Sequence, residues 1–323
     1  MTTLTAQTTT TAASAAITAA NDVQTLAAKW LAWIDARPST AATYTRAIRV
    51  YCDWLDAHGV TNPTREDVRQ YRDDIAARLA PATVALYIVA LRQLYSWSES
   101  VGLYANITDH VKAPHTSATA AYKRDYLTAD DVRSVLATVD RATAAGKRDY
   151  ALLVLMVVAG LRDVECSRAN VGDVADVGGY PVLYVHGKGR DDKRDYVRLT
   201  PVVVNALSDY LTTRPDATPD APLFASASHN NHNGRLSTRS ISRIVKAAYK
   251  RTGVARLSDN RHTAHSLRHT AATLALLNGA SLVETQQLLR HKSINTTMIY
   301  VHTLDQVRNT ATSRVTGAIF GAA

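Results

Sequence analysis

Cysteine is nearly absent: Cys52 and Cys166 are the only two in 323 residues, and no CxxC spacing occurs. That scarcity excludes a disulfide framework and a cysteine-built zinc or redox motif, and it suits a reducing cytoplasm. Long hydrophobic runs are missing too. The longest, "ALLVLMVVAGL" at residues 151–161, falls far short of the ~20 residues a membrane helix requires and reads as a buried core helix. No Lys or Arg precedes Lys29, so the Thr/Ala-rich start lacks the basic region of a secretory signal, and residues 1–21 read as a flexible tail. There is no GxxxxGK[ST] loop to hold a nucleotide, and no spaced carboxylate cluster of the kind a two-metal nuclease uses. Asp130–Asp131 and Asp191–Asp192 are adjacent pairs whose side chains diverge, which capping and local ion pairing explain. No repeat of solenoid period is present.

What is present is a folded chain, 46% hydrophobic, with 37 Lys and Arg against 28 Asp and Glu and a net charge of +9. That balance favours a polyanionic partner, a nucleic acid being the simplest, although net charge also serves solubility alone.

Hydrophobic periodicity divides the chain. Val23, Leu26, Trp30 and Ile34 fall at helical spacing, and Tyr44, Ile48, Tyr51 and Leu55 repeat the pattern after a cap in "PST", with Gly59 ending it. A third helix follows a capping box of Thr64 and Asp67, and a fourth carries Val84, Ile88, Leu91 and Tyr95 on one face. Residues 22–112 therefore read as a four-helix domain. Arg46, Arg49, Arg65, Arg69, Arg72 and Arg92 decorate it, either as a phosphate-facing surface or as a solvated face; Arg46 and Arg49 are taken as DNA-binding candidates. Residues 113–124, poor in large apolar side chains, read as an interdomain linker that includes Lys123 and Arg124. From residue 125 to 323 the pattern is mixed. Thr128 and Asp131 cap a helix, "YPVLYVHGKGRDDKRDYVRLT" alternates as a β-hairpin, and Thr200–Pro201 opens another helix. The helix opened by "HSLRHT" should stop at Asn278–Gly279, and Ser281 with Glu284 boxes the next, which delivers His291 at its end; a short helix from about Ser293 carries Tyr300.

His265 and His269, at i and i+4, have the spacing that holds a metal on one helix face. A zincin places Glu directly after the first histidine, but residue 266 is Ser, and Arg268 sets a fixed cation beside the pair. The turn suits an anion better than a divalent ion. As an isolated turn it reads equally as a packed His269 behind a polar His265.

Taken in order, Arg162 in "GLRDVE", Lys188 in "HGKGR", His265 and Arg268 in "HSLRH", His291 in "LLRHKS" and Tyr300 in "IYVH" form a set that resembles the tyrosine recombinase, or phage integrase, family. The resemblance is most specific over residues 160–302. Two positions depart from the family pattern: Arg290 stands where Gly commonly precedes the later histidine, and Ala264 where Pro often precedes the first. The resemblance implies a mostly α fold with a small β-hairpin or sheet, in which an N-terminal SAM-like core-binding domain precedes an α+β catalytic domain. It implies a clamp around double-stranded DNA in which Lys123 and Arg124 of the linker touch the DNA backbone, a homo-tetramer on two paired sites, and a C-terminal tail with Val315, Ile319 and Phe320 that docks on a neighbour or folds back in cis. The N-terminal region looks too short for a separate arm-type DNA-binding domain, as in Xer-like enzymes.

The chemistry of phosphodiester cleavage accounts for these residue types. Attack on the phosphate builds negative charge that the paired donors of Arg162 and Arg268 can meet in place of metal ions. Tyr300, with an ordinary pKa of ~10, needs an acceptor for its proton, for which His265 is the candidate. Lys188 is the candidate general acid for the departing 5′ oxygen, with Lys193 of the same turn as the alternative. His291 would hold a phosphate oxygen, Glu165 would orient Arg162, and Arg290 could reach DNA. A 3′-phosphotyrosine conserves the ester bond, so no ATP, metal or other cofactor is expected. His229 and His232 read as loop polars and Cys166 as a small buried residue. A catalytically silent DNA-binding protein of the same fold, and a metal-dependent hydrolase built on His265 and His269, are the competing readings.

Overall fold

The computed structural model describes residues 23–114, 126–186, 195–258, 262–301, 318–319 and 321. The predicted hairpin tip with Lys188 and Lys193, the linker cations Lys123 and Arg124, and Val315 and Phe320 of the tail lie outside the described residues. The chain divides into two compact units, Met1–Ala118 and Thr119–Ala323. No helix among the described residues is long and apolar enough to cross a membrane.

The first unit contains α1 (Val23–Trp33), α2 (Pro38–Ala57), α3 (Arg65–Ala76) and α4 (Pro81–Ser100). The apolar face read from spacing is the buried one: Leu26, Trp30, Ile48, Tyr51, Leu55, Ile88, Leu91 and Tyr95 share one core with Val68, Tyr71 and Ile75 of α3. α2 begins two residues earlier than a cap at Ser39 of "PST" would allow. Its N-cap is Arg37, which makes no capping hydrogen bond, and Pro38 takes the first turn, where its fixed φ suits a helix and its missing N–H costs nothing. The box at α3 forms as expected, the Thr64 N–H donating to Asp67 Oδ2 at 2.7 Å. The arginines do not act as one set. Arg72 donates to Asp73 and to the Lys112 carbonyl, and Arg92 donates to the Val111 carbonyl, so both fasten the segment after α4 to the bundle. Arg46 and Arg49 stay exposed on α2.

The second unit is built around α6 (Ala144–Val158), which follows α5 (Ala129–Ala137). Residues 151–157 are buried on every face of α6, as the apolar run requires. α7 (Asp163–Arg168) leads to a three-stranded antiparallel sheet in the order β1 (Val174–Val177), β2 (Tyr180–Val185), β3 (Asp195–Arg198). β2 and β3 are the predicted hairpin. β1 adds a strand the sequence reading lacked, joined to β2 through Gly178 and Gly179 at φ +61° and +82°, the two-residue turn that matches strand twist. Leu183 stands opposite Val174 and Val197, and Leu183, Val185 and Val197 point into the core. Tyr184 and Tyr196 pair on the other face, and the Arg198 guanidinium sits 4.2 Å over the Tyr180 ring.

α8 (Pro201–Leu211) packs along α6. α9 (Thr238–Arg251), the short α10 (Ala255–Ser258) and α11 (Ala264–Leu277) follow, and α11 also lies against α6. α11 ends at Leu277, before Asn278–Gly279. α12 (Leu282–Leu289) starts from the Ser281–Glu284 box, and α13 (Ile294–Val301) closes the described helices, packing on α11 and α12. His232 is exposed in the loop before α9, while Cys166 is fully buried, which pushes its thiol well above the usual range.

Candidate active site

Arg162 caps α7, and one carboxylate grips it twice. Its backbone N–H donates to Glu165 Oε2 at 2.8 Å and its Nη1 to Glu165 Oε1 at 2.7 Å. Glu165 lies three positions after Arg162, the spacing that lets the side chain reach back over the first turn. Glu165 is 2% exposed. Burial alone would raise its pKa, but Arg290, then the Arg162 N–H, Arg268 and Arg162, outweigh burial and hold the carboxyl below its ordinary value.

Arg268 projects from the first turns of α11 into the interior and is 1% exposed. Its Nη1 donates to the Gly160 carbonyl at 2.5 Å, its Nη2 donates to the Leu289 carbonyl, and it lies 3.9 Å from Glu165. Gly160 has φ +60°, and a Cβ there would meet Leu289 Cδ2 at 3.0 Å, so only glycine presents this carbonyl to Arg268 without strain. Burial first and the neighbouring Arg162 second pull the Arg268 guanidinium down to about 9, still charged at neutral pH.

His291 follows α12 and is locked by its surroundings. Its N–H donates to the Gln286 carbonyl, its own carbonyl accepts from Gln286 Nε2 at 3.0 Å, and its Nδ1 lies 2.9 Å from Thr297 Oγ1. Burial, Arg268, Arg162, Arg290 and His265 push its pKa down from 6.5 to about 4, so the ring is neutral at pH 7. The unfolded chain therefore takes up this proton near pH 6.5 and the folded chain only near 4, and stability present above pH 6.5 is lost as the pH falls through that window. The drop in Tm between pH 7 and pH 5 is expected to shrink in His291→Gln; an equal drop in both proteins would contradict the assignment.

Tyr300 is brought to this cluster. It is 4% exposed and packs with Ala272 and Leu289. Its ring is parallel to that of His291, with centroids 6.3 Å apart, and lies 5.3 Å from that of His269. Its position also acts electrostatically on Arg268. His265 is exposed at the start of α11, and its ring meets that of His269 edge-on at 4.5 Å. His269 thus touches both residues expected to exchange the phenol proton, a contact that its i+4 spacing from His265 made readable. Thr297, which fixes the His291 ring, and the Gly160 and Leu289 carbonyls carried no readable signal.

Arg290 is turned inward. Its side chain is 8% exposed and its Nη2 donates to Glu165 Oε2 at 2.8 Å. The cluster therefore sets three guanidiniums around one carboxylate, an excess of positive charge beside a tyrosine and two histidines. Among the described residues no group of three or more His, Cys, Asp or Glu is arranged to hold a metal. The arrangement suits a singly charged oxyanion with spread charge, such as a phosphodiester.

Residues 125–307 match the Phage integrase family, and residues 33–102 match the Phage integrase, N-terminal SAM-like domain. The tyrosine recombinase XerC of Pelobacter propionicus is 30% identical over 272 residues, covering 82% of this chain and 85% of that protein. The tyrosine recombinase XerD of Listeria monocytogenes is 29% identical over 279 residues, covering 82% and 88%. Among solved structures, the fold is shared with the XerH site-specific recombinase bound to its palindromic difH substrate in a post-cleavage complex (TM-score 0.71, 21% identity, 91% of this chain and 84% of that one). It is also shared with a lambda integrase dimer bound to a COC′ core site (TM-score 0.68, 18% identity, 91% and 81%). The chain, with its SAM-like N-terminal domain and integrase catalytic domain, belongs to the phage integrase family of tyrosine recombinases.

Proposed function

We propose that this protein is a site-specific DNA recombinase that cuts and rejoins double-stranded DNA through a 3′-phosphotyrosine at Tyr300, with neither metal nor ATP. The observation that carries this reading is the convergence of Arg162, Arg268 and His291 with the Tyr300 phenol. Arg162 and Arg268 hold the non-bridging oxygens of the scissile phosphate and meet the charge that grows on them during attack. His291 binds a phosphate oxygen, and an arriving anion opposes the cationic field that, after burial, holds this ring neutral. Tyr300 Oη attacks phosphorus, its proton passes to His265, and the P–O5′ bond breaks. The 5′ oxygen takes its proton from Lys188. A 5′ hydroxyl from a second duplex then attacks the phosphotyrosine and releases the phenol, so one phosphoester replaces another and no energy cofactor is consumed.

Around this chemistry, residues 22–112 and 125–323 close on the duplex as a clamp bridged by residues 113–124. Arg46 and Arg49 contact backbone from the N-terminal side, and Lys123 and Arg124 do so from the bridge. The active assembly is a tetramer on two paired sites, in the cytoplasm. Trapping tests the reading. Wild-type protein incubated with a nicked site duplex and excess chelator should yield a covalent protein–DNA adduct, with the modified peptide containing residue 300. Tight binding without an adduct would make the chain a silent DNA-binding protein, and cleavage abolished by the chelator would make it a metal-dependent hydrolase.

A further inference from the structure

We propose that Arg290 is a positioning residue for strand cleavage, anchoring Glu165 so that this single carboxylate holds Arg162 and Arg268 in place; the proposal rests on the recombinase reading above. Arg290 is one of three non-glycine residues with positive φ among the described residues, at φ 53° and ψ 44°. A left-handed residue is needed there to stop α12 and turn the chain so that His291 enters the site. The resembled family commonly meets that need with glycine, which adopts such backbone angles without a Cβ penalty. Arginine accepts the strain, and its side chain is not spent on solvent.

The guanidinium runs back under the turn. Nη2 donates to Glu165 Oε2 at 2.8 Å, Nη1 donates to the Leu288 carbonyl at 2.7 Å, and longer contacts reach the carbonyls of Ala159 at 3.5 Å and Gly160 at 3.4 Å. Two of these groups already serve the site. Gly160 O accepts from Arg268, and Glu165 Oε2 accepts the Arg162 N–H. Arg290 therefore links the end of α12 to the turn after α6 and to the cap of α7, the segments that carry His291, the Arg268 acceptor and Arg162. With the side chain 8% exposed, the guanidinium serves Glu165 and not a passing DNA strand.

A cation at this place also governs the charge on Glu165. The charged and titratable groups shown to act on or feel that carboxylate are Arg162 and Cys166 of its own turn, Arg268 of α11, and Arg290 after α12. Removing Arg290 leaves two guanidiniums, one of them 3.9 Å away, to keep a buried carboxylate ionised.

The test uses the full chain and single-turnover cleavage of a nicked site duplex, with binding of an intact duplex and thermal melting measured alongside. Arg290→Gly suits the backbone angles, so it should remain folded. It is expected to slow cleavage about 10- to 100-fold, as loss of a supporting contact does at other sites, while the duplex Kd changes by less than about twofold. The acid limb of the rate–pH profile should move to higher pH, and Arg290→Lys should recover part of the rate. Because Arg290 acts through Glu165, the pair Arg290→Gly with Glu165→Gln should lose no more than Glu165→Gln alone. Wild-type rates in Arg290→Gly, multiplied losses in the pair, or a Kd that weakens in step with cleavage would each overturn the proposal. An absent adduct in the wild type overturns the recombinase reading beneath it, whereas an adduct formed equally fast in wild type and Arg290→Gly overturns this proposal alone.

Discussion

Tyr300→Phe is expected to eliminate the covalent protein–DNA adduct and to lower strand cleavage by roughly 10⁴-fold or more, the scale of losing a nucleophile outright, while duplex binding holds. The substitution separates chemistry from structure well. Phenylalanine keeps the ring that packs on Ala272 and Leu289 and lies parallel to His291, and it removes only Oη. Stability should change by less than about 1 kcal/mol, a range typical of substitutions that open no cavity and strand no charge. A trapped adduct, or residual cleavage above about 1% of wild type, would require a nucleophile other than the phenol. Either result would move the nucleophile away from residue 300.

Arg268→Ala should damage both catalysis and the fold. Its guanidinium is buried, and removing it strands the Leu289 carbonyl, leaves the Gly160 carbonyl only its longer contact with Arg290, and takes one cation from the buried Glu165. Breaking a buried charge network in this way costs about 3–5 kcal/mol, on the order of 10 °C in Tm for a unit of this size. Arg268→Lys keeps the charge and gives up the planar fork, so it separates the two effects. It should bind duplex DNA nearly as well as wild type yet cleave about 10²- to 10³-fold more slowly, the usual cost of one donor to a developing anion. An Arg268→Lys protein that cleaves at the wild-type rate would mean that a point charge suffices and that the paired-donor argument is wrong.

Short-range rules made much of the fold legible. The boxes at Thr64, Thr128 and Ser281 formed where their spacing placed them, because each depends on atoms three residues apart. The 151–157 run was buried because no polar face interrupts it. β1 escaped notice because four residues in which an aspartate interrupts the valines carry little pattern by themselves; only pairing with β2 makes them a strand. The site divides in the same way. Arg162 and Glu165 are one turn apart and could be paired on paper. The meeting of Arg290 with Glu165, across 125 residues of chain, exists only once α7 and the end of α12 pack together. Charge composition pointed to a polyanion but could not separate Arg72 and Arg92, which serve their own domain's carbonyls, from Arg46 and Arg49, which remain exposed.

The short helix α13 buries Thr297 and Tyr300, while Ile294, Met298 and Val301 stay exposed along its length. Arg268 and Arg290 reach instead to the turn that ends α6, a helix with an unbroken buried run at residues 151–157. Few buried contacts hold the first, and many hold the second, so their local opening free energies should differ by several kcal/mol. Local opening of this one eight-residue helix is thus expected to displace the Tyr300 ring while the Arg162, Arg268 and Arg290 contacts to Glu165 stay assembled.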